Sequence, residues 1–280
     1  MAAGKDKSAA KSRATPASRK RKASGRQDKP CGVSEVDHLF TLDPCKLVDY
    51  LRAASVYVQR APGLTSSQKK AAQIRLSFGL GKALLCQLQT RLSLPGARAG
   101  EHVVSGALRT VNADVSQLHK LDGLRLAVEI KPVNLAVGRA IWNRFGDIRT
   151  FAVNLHLKFP FAVVGGVLAI PTWEVTPKGQ RKSTVHLIER AVNRLMRAGG
   201  RKTEGDAAHL LEGIAVVVCE PDTGQLHPTL PAPRSGLRWD EFIETLAAAH
   251  EARFETDEEV AAQAEGDEDE SDNEEREPEA

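Results

Sequence analysis

One short stretch carries side chains that could together hold a cation and activate water. It reads Asp114-Val-Ser-Gln-Leu-His-Lys-Leu-Asp-Gly-Leu-Arg-Leu-Ala-Val-Glu129-Ile130-Lys131. Leu124, Leu126 and Val128 alternate with the period of a strand, and Asp122-Gly123 suits a two-residue hairpin turn because both positions tolerate positive φ. With that turn, residue 121 pairs with 124 and Asp114 lands opposite Lys131, beside Glu129. Side chains on a strand alternate between faces, so Glu129 and Lys131 share one face while Ile130 points into the core. Two carboxylates on neighbouring strands suit Mg²⁺, a hard cation that prefers oxygen ligands and keeps several waters. The backbone carbonyl of Ile130 could be a further oxygen ligand. Lys131 could orient a water and stabilise the charge of a pentacovalent phosphate.

The bland alternative is an exposed same-face ion pair between Glu129 and Lys131, which usually contributes little. Ala127, Val128 and Ile130 argue against it, because they make the strand buried on at least one face. Asp122 competes with Asp114 as the first acid. At about 3.3 Å per residue it would sit roughly 20 Å from Glu129, at the far end of the hairpin, so it is set aside.

With Asp114 as the first acid and Glu129-Ile130-Lys131 as the second element, the hairpin resembles the PD-(D/E)XK nuclease superfamily, which contains most type II restriction endonucleases. The resemblance covers roughly residues 95 to 220; Ala113 stands where the family name has proline. It implies a restriction-endonuclease-like core and Mg²⁺-dependent hydrolysis of phosphodiester bonds in double-stranded DNA, at a specific short sequence in the restriction enzymes. It further implies Asp114 and Glu129 as metal ligands, Lys131 as the group that assists the attacking water, and an auxiliary acid before the hairpin. Glu101 is the candidate for that acid, binding metal through a water. Such enzymes typically act as homodimers on palindromes, with a cognate DNA methyltransferase as a functional partner, in a prokaryotic cytoplasm. Symmetry of protein and symmetry of site go together.

The elements that must position these residues are legible as periodic segments. Leu47 to Val56 has helical spacing behind Asp43-Pro44. Ser66 to Leu92 reads as a long amphipathic helix with Thr65 or Ser66 as N-cap, ended by Pro95-Gly96. Glu101 opens a segment that fits a helix through Val104 and Leu108, and fits a strand equally well. A charged residue in a first helical turn, favoured by the dipole, is the plain reading of Glu101 there. After the hairpin, 134 to 157 is helical around Leu135, Ile141, Phe145 and Ile148. Phe161 to Ile170 and Gly213 to Cys219 are apolar throughout, as central strands covered on both faces are. Val185 to Arg197 and 239 to 254 are amphipathic helices. The fold class is therefore α/β, a mixed β-sheet flanked by helices, with an N-terminal helical region. One domain spans 30–255, with helices over 43–93, a catalytic core over about 95–220 and a C-terminal helix over 239–254.

Charge marks the ends. Residues 1–29 contain ten Lys or Arg and two Asp, a charge of +8, and residues 256–280 contain thirteen acids and one Arg, a charge of −12. Both read as disordered tails, basic and acidic. The total of +3 leaves +7 on the body between them, which suits a polyanionic partner. Arg19 to Lys22 fits an arm with non-specific phosphate affinity, or a nuclear localisation signal. The four cysteines are scattered, suggesting neither zinc site nor disulfide framework, with Cys86 and Cys219 as buried thiols. Lacking a signal peptide or a bilayer-length apolar run, the chain is expected to be soluble and cytoplasmic.

Arg139, Asn143, Arg144 and Arg149 follow the lysine directly, and Arg and Asn are the usual readers of guanine and adenine edges; they are also ordinary exposed residues of a helix. Lys178, Arg181, Lys182, Arg201 and Lys202 could track phosphates. His119, His156 and His186 have no zinc or catalytic spacing, and Gly165-Gly166 inside a strand is better explained by close packing than by a phosphate turn. Phosphate-loop, dinucleotide and nucleophile-elbow motifs are absent. Two further readings stay open: a structure- or damage-specific DNA repair or recombination nuclease, and a non-enzymatic DNA-binding protein.

Overall fold

The two apolar runs become the parallel centre of a six-stranded sheet in the computed structural model, which describes residues 46–254. In chain order the elements are α1 (Leu47–Arg60), α2 (Ser66–Gln89), β1 (Arg98–Ser105), β2 (Thr110–His119), β3 (Gly123–Pro132), α3 (Val137–His156), β4 (Val163–Pro171), β5 (Trp173–Val175), β6 (Arg181–Ser183), α4 (Val185–Leu195), β7 (Gly213–Glu220) and β8 (Gln225–Leu226), followed by α5 over 239–254. The sheet order is β1-β2-β3-β4-β7-β8. The first three strands form an antiparallel meander, β3, β4 and β7 run parallel, and β8 returns antiparallel. The fold class is thus the expected one, a mixed sheet between helical layers with helices ahead of it.

Alternation along the central strands divides the core. Val163, Val167 and Ala169 of β4 face α1, α2 and α5, with Leu76, Leu80, Leu84, Phe242 and Leu246 packed over them. Val164, Leu168 and Ile170 face α3 and α4, under Ile141, Ile148, Ile188 and Leu195. The glycine pair between them sets how closely the layers approach. A Cβ on Gly165 would lie 3.1 Å from Phe242 and Leu246 of α5, and one on Gly166 would lie 2.5 Å from Ile148 of α3. The two glycines serve packing on opposite faces of one strand.

Local signals account for the helix ends. Thr65 and Gln68 form a reciprocal capping box at the start of α2. That helix ends at Gln89, well before Pro95-Gly96. At α3 the cap comes from elsewhere: Ala136 is left-handed, and the Val137 N–H donates to Glu174 on β5 at 2.9 Å. The other end of α3 holds the β1–β2 turn, where Asn154 accepts from the Leu108 and Arg109 N–H groups at 3.2 and 3.0 Å. This contact ties the meander to the helix above it.

Two expectations need correction. The segment opened by Glu101 is strand β1, so the helical reading of it fails and the strand reading stands. Cys86 is half-buried and disulfide-bonded, whereas Cys219 is a buried free thiol. The charged ends, 1–29 and 256–280, and the Asp43-Pro44 start of the first helix lie outside the described residues. No helix among the described residues is long and apolar enough to cross a membrane.

Candidate functional site

The hairpin forms, but with a different bend. His119 pairs with Gly123, so the connection is three residues, Lys120 to Asp122, and Gly123 opens β3 with φ +77°. A side chain at Gly123 would also collide with the Phe159 ring, its Cβ 2.8 Å from Cε1. A shift between Gln117 and Leu118 moves the register once more, and the ladder continues to Val115 opposite Val128. One step further, this register sets Asp114 opposite Glu129. The expectation that Asp114 faces Lys131 is therefore corrected by two residues, in the direction that brings the two acids together.

Asp114 sits where strand order breaks down. Val111 and Ala113 pack toward α3, whereas Val115 packs toward α2, so β2 changes face at Asp114. Across from it β1 carries a bulge between Ala99 and His102, which holds Gly100, at φ +112°, and Glu101. The Asp114 carboxylate replaces the missing ladder acceptor: Oδ2 accepts from the Ile130 N–H at 2.7 Å and Oδ1 from the Ser77 hydroxyl of α2 at 3.3 Å. Glu129 and Lys131 share the α3 face of β3, as period two requires, and the Lys131 ammonium is ion-paired with Glu129 Oε1. Ile130 points into the opposite core. The expected acids and lysine thus converge, and the bulge brings Glu101 to the same cavity.

Charge is unbalanced there. Glu101, Asp114, Glu129 and Asp147 line a cavity of about 320 Å³ whose cationic side chains are Arg109 and Lys131. Burial pushes the Asp114 carboxyl up, opposed by the Ile130 N–H, Lys131 and Ser77, and the Glu101 charge adds to the rise. Burial likewise pushes Glu129 up to about 7; Lys131 opposes the shift, while Asp114 and Asp147 reinforce it. The unfolded carboxyl titrates near 4.5, so the folded state holds the proton more tightly. Its stabilising effect is complete below that value and is lost as pH rises through about 7. Denaturant titrations of chelator-treated protein should show its stability relative to Glu129→Gln falling between about pH 4.5 and 7. The same slope in both proteins would refute this account of Glu129.

Among the described residues no three His, Cys, Asp or Glu side chains are grouped closely enough to hold a metal by themselves. Mg²⁺ does not need such a cage, since it is commonly held by one or two carboxylates together with waters and substrate phosphates. The Asp114–Glu129 pair fits that donor chemistry. With every group ionised, the four acids exceed Arg109, Lys131 and Arg144, the last paired with Asp147 at 2.9 Å, by one charge, which a divalent ion would more than offset.

The remaining expected contacts divide. Arg139, Asn143, Arg144 and Arg149 are all exposed on α3. Arg139, Asn143 and Arg144 line one shallow cavity along α3, and Arg144 also lines the cleft with Lys131. Arg149 stacks over Phe145, 5.9 Å from its centroid, and lines neither. Arg201, expected to track phosphates, is buried: it donates to Glu212 at 3.0 Å and to the Pro160 carbonyl at 3.1 Å. Asp122 pairs with Arg125 and His119 at the hairpin tip, consistent with setting it aside. Sequence reasoning missed Asp147 and Ser77. Asp147 adjoins the buried Ile148 on α3, a helical phase that could have pointed it toward β3; no comparable signal marks Ser77. No protein-family model, curated protein or solved structure matches the chain.

Proposed function

We propose that the chain is a Mg²⁺-dependent endodeoxyribonuclease that hydrolyses phosphodiester bonds in double-stranded DNA. The observation that carries this reading is the meeting of Asp114, Glu129 and Lys131 at one break in strand pairing, inside an acid-rich cavity. Asp114 and Glu129 would hold Mg²⁺, with the Ile130 carbonyl as a further ligand and Glu101 acting through a water. When bound, the ion supplies Lewis acidity and neutralises the acids against an incoming phosphate. Lys131 shares the cavity with Glu129, where its ammonium can orient the attacking water and stabilise charge on the phosphate oxygens. Ser77 and the Ile130 N–H fix the Asp114 carboxylate, so its orientation does not depend on substrate.

The exposed Arg139, Asn143 and Arg144 beside the cleft support duplex contact, and the hairpin's resemblance to restriction enzymes supports cleavage at a specific short sequence. That form brings with it a homodimer acting on a palindrome and a protecting methyltransferase. A second form, cleavage directed by DNA structure, is favoured by one observation: Ile74 and Phe78 stand exposed in the wall of the same cleft. Unmethylated phage DNA and a branched-oligonucleotide panel, each incubated with protein and Mg²⁺ or chelator, test both. Discrete Mg²⁺-dependent fragments support the sequence-specific form; cleavage confined to flaps, junctions or ends supports the structural one. No Mg²⁺-dependent cleavage of any substrate, with DNA binding intact in Glu129→Ala, would leave a non-enzymatic DNA-binding protein.

A further inference from the structure

The cleft above Asp114 has an apolar wall that metal chemistry does not use. Its volume is about 500 Å³, within the roughly 300–1,000 Å³ typical of small-ligand sites. Asp114, Ile130 and Lys131 line its interior, Ala140 and Arg144 of α3 one side, and Gln73, Ile74, Ser77 and Phe78 of α2 the other. Ile74 is 57% exposed and Phe78 43% exposed, whereas Leu76 and Leu80 beside them are fully buried. Positions 74, 78 and 82 follow one another at helical i, i+4 spacing, so they form one stripe. The stripe ends in Lys82, whose ammonium lies 4.8 Å from the Phe78 ring centroid.

Gly100 makes room for this ring. A Cβ there would lie 3.2 Å from Phe78 Cε2, and its φ of +112° disfavours any side chain. The β1 bulge therefore brings Glu101 toward Asp114 and seats Phe78 against strand backbone with the same few residues.

We propose that Ile74 and Phe78 receive a nucleobase that has left the helical stack, next to the phosphate that Lys131 and the two acids act upon. The inference rests on the nuclease reading and names its substrate class. A single exposed apolar side chain needs no explanation. Here two stand together in the mouth of a cleft that also presents Lys131 and Arg144, alongside the acids Glu101 and Asp114 that the nuclease reading assigns to the metal, and a nucleotide has the matching halves, an apolar base and an anionic phosphate. Stacking on an aromatic side chain is indifferent to base identity, because every base offers a π-face. Bases inside an intact duplex are covered on both sides. The occupant is thus a nucleotide of a flap or single-stranded tract.

The test uses full-length protein with Ca²⁺ in place of Mg²⁺. Two oligonucleotides labelled with 2-aminopurine are compared by fluorescence anisotropy and quenching, one a blunt duplex and one carrying a single-stranded flap. Phe78→Ala should weaken flap binding by about tenfold and leave blunt-duplex binding unchanged. Phe78→Trp should restore flap affinity and quench the probe. Equal weakening on both substrates, or no weakening, overturns the proposal, as does failure of the unaltered protein to prefer the flap. The two readings can fail separately. Flap-selective binding lost in Phe78→Ala, without Mg²⁺-dependent cleavage, would defeat the nuclease and keep the base site; Mg²⁺-dependent cleavage with flap binding indifferent to Phe78 would do the reverse.

Discussion

Lys131→Ala is expected to lower the initial rate of Mg²⁺-dependent DNA cleavage by about 10²–10³-fold, the usual cost of removing one preorganised charge-stabilising donor. The ammonium does two jobs at once. It is positioned in the cavity where phosphate charge would build up, and it is the direct partner of the Glu129 carboxylate. Without it, burial and the neighbouring Asp114 and Asp147 would raise the Glu129 carboxyl further, against the metal. Part of the loss should therefore be recovered by raising pH or Mg²⁺, and part should not. Lys131→Arg should rescue poorly, since a planar fork replaces a compact ammonium on a flexible stem. Plasmid nicking measured across a Mg²⁺ series decides it: a variant within about tenfold of the unaltered rate at every concentration would remove Lys131 from the chemistry.

The largest stability effect is expected outside the lining of that cavity. Glu212→Ala should destabilise the fold by about 3–5 kcal/mol, the range for leaving a buried charge without its partner. The Glu212 side chain is fully buried and touches His156 of α3 at 3.2 Å, Arg201 at 3.0 Å and Arg253 of α5 at 2.8 Å. It also accepts from the Val164 N–H at 2.8 Å, at the start of β4. One carboxylate thus joins both helical layers to the centre of the sheet. Burial by itself would raise its pKa, but His156, the Val164 N–H and Arg253 outweigh that and hold it below the usual glutamate range. A depressed carboxyl stabilises above its unfolded pKa, and the effect is lost as pH falls through the folded value. Urea midpoints measured from neutral to acid pH should show a deficit in Glu212→Ala that shrinks on the acid side; a variant within about 1 kcal/mol at neutral pH would contradict this role.

How much of this could be read beforehand depended on the range of the interaction involved. Period-two alternation is local, so the shared face of Glu129 and Lys131 was legible, as were the buried runs of β4 and β7. Pairing register is less local. Asp122-Gly123 has the composition of a two-residue turn, yet Gly123 must avoid the Phe159 ring, and the chain bends over Lys120 to Asp122 instead. With the second shift at Gln117, that moved Asp114 from Lys131 to Glu129. The Glu101 segment has helical and strand periodicities of equal quality, and pairing with β2 decided between them. Arg201 and Lys202 are neighbours of the same charge, one buried on Glu212 and the other exposed. Nothing in composition separates them, because the partner lies across the fold.

The bulge that turns Glu101 toward Asp114 has one more effect, on self-association. A regular outer strand offers its free amides and carbonyls as a template on which another chain can zip. Gly100 and Glu101 interrupt that template on β1, and at the opposite margin β8 is only two residues long. Both features work against strand addition at the borders of this sheet.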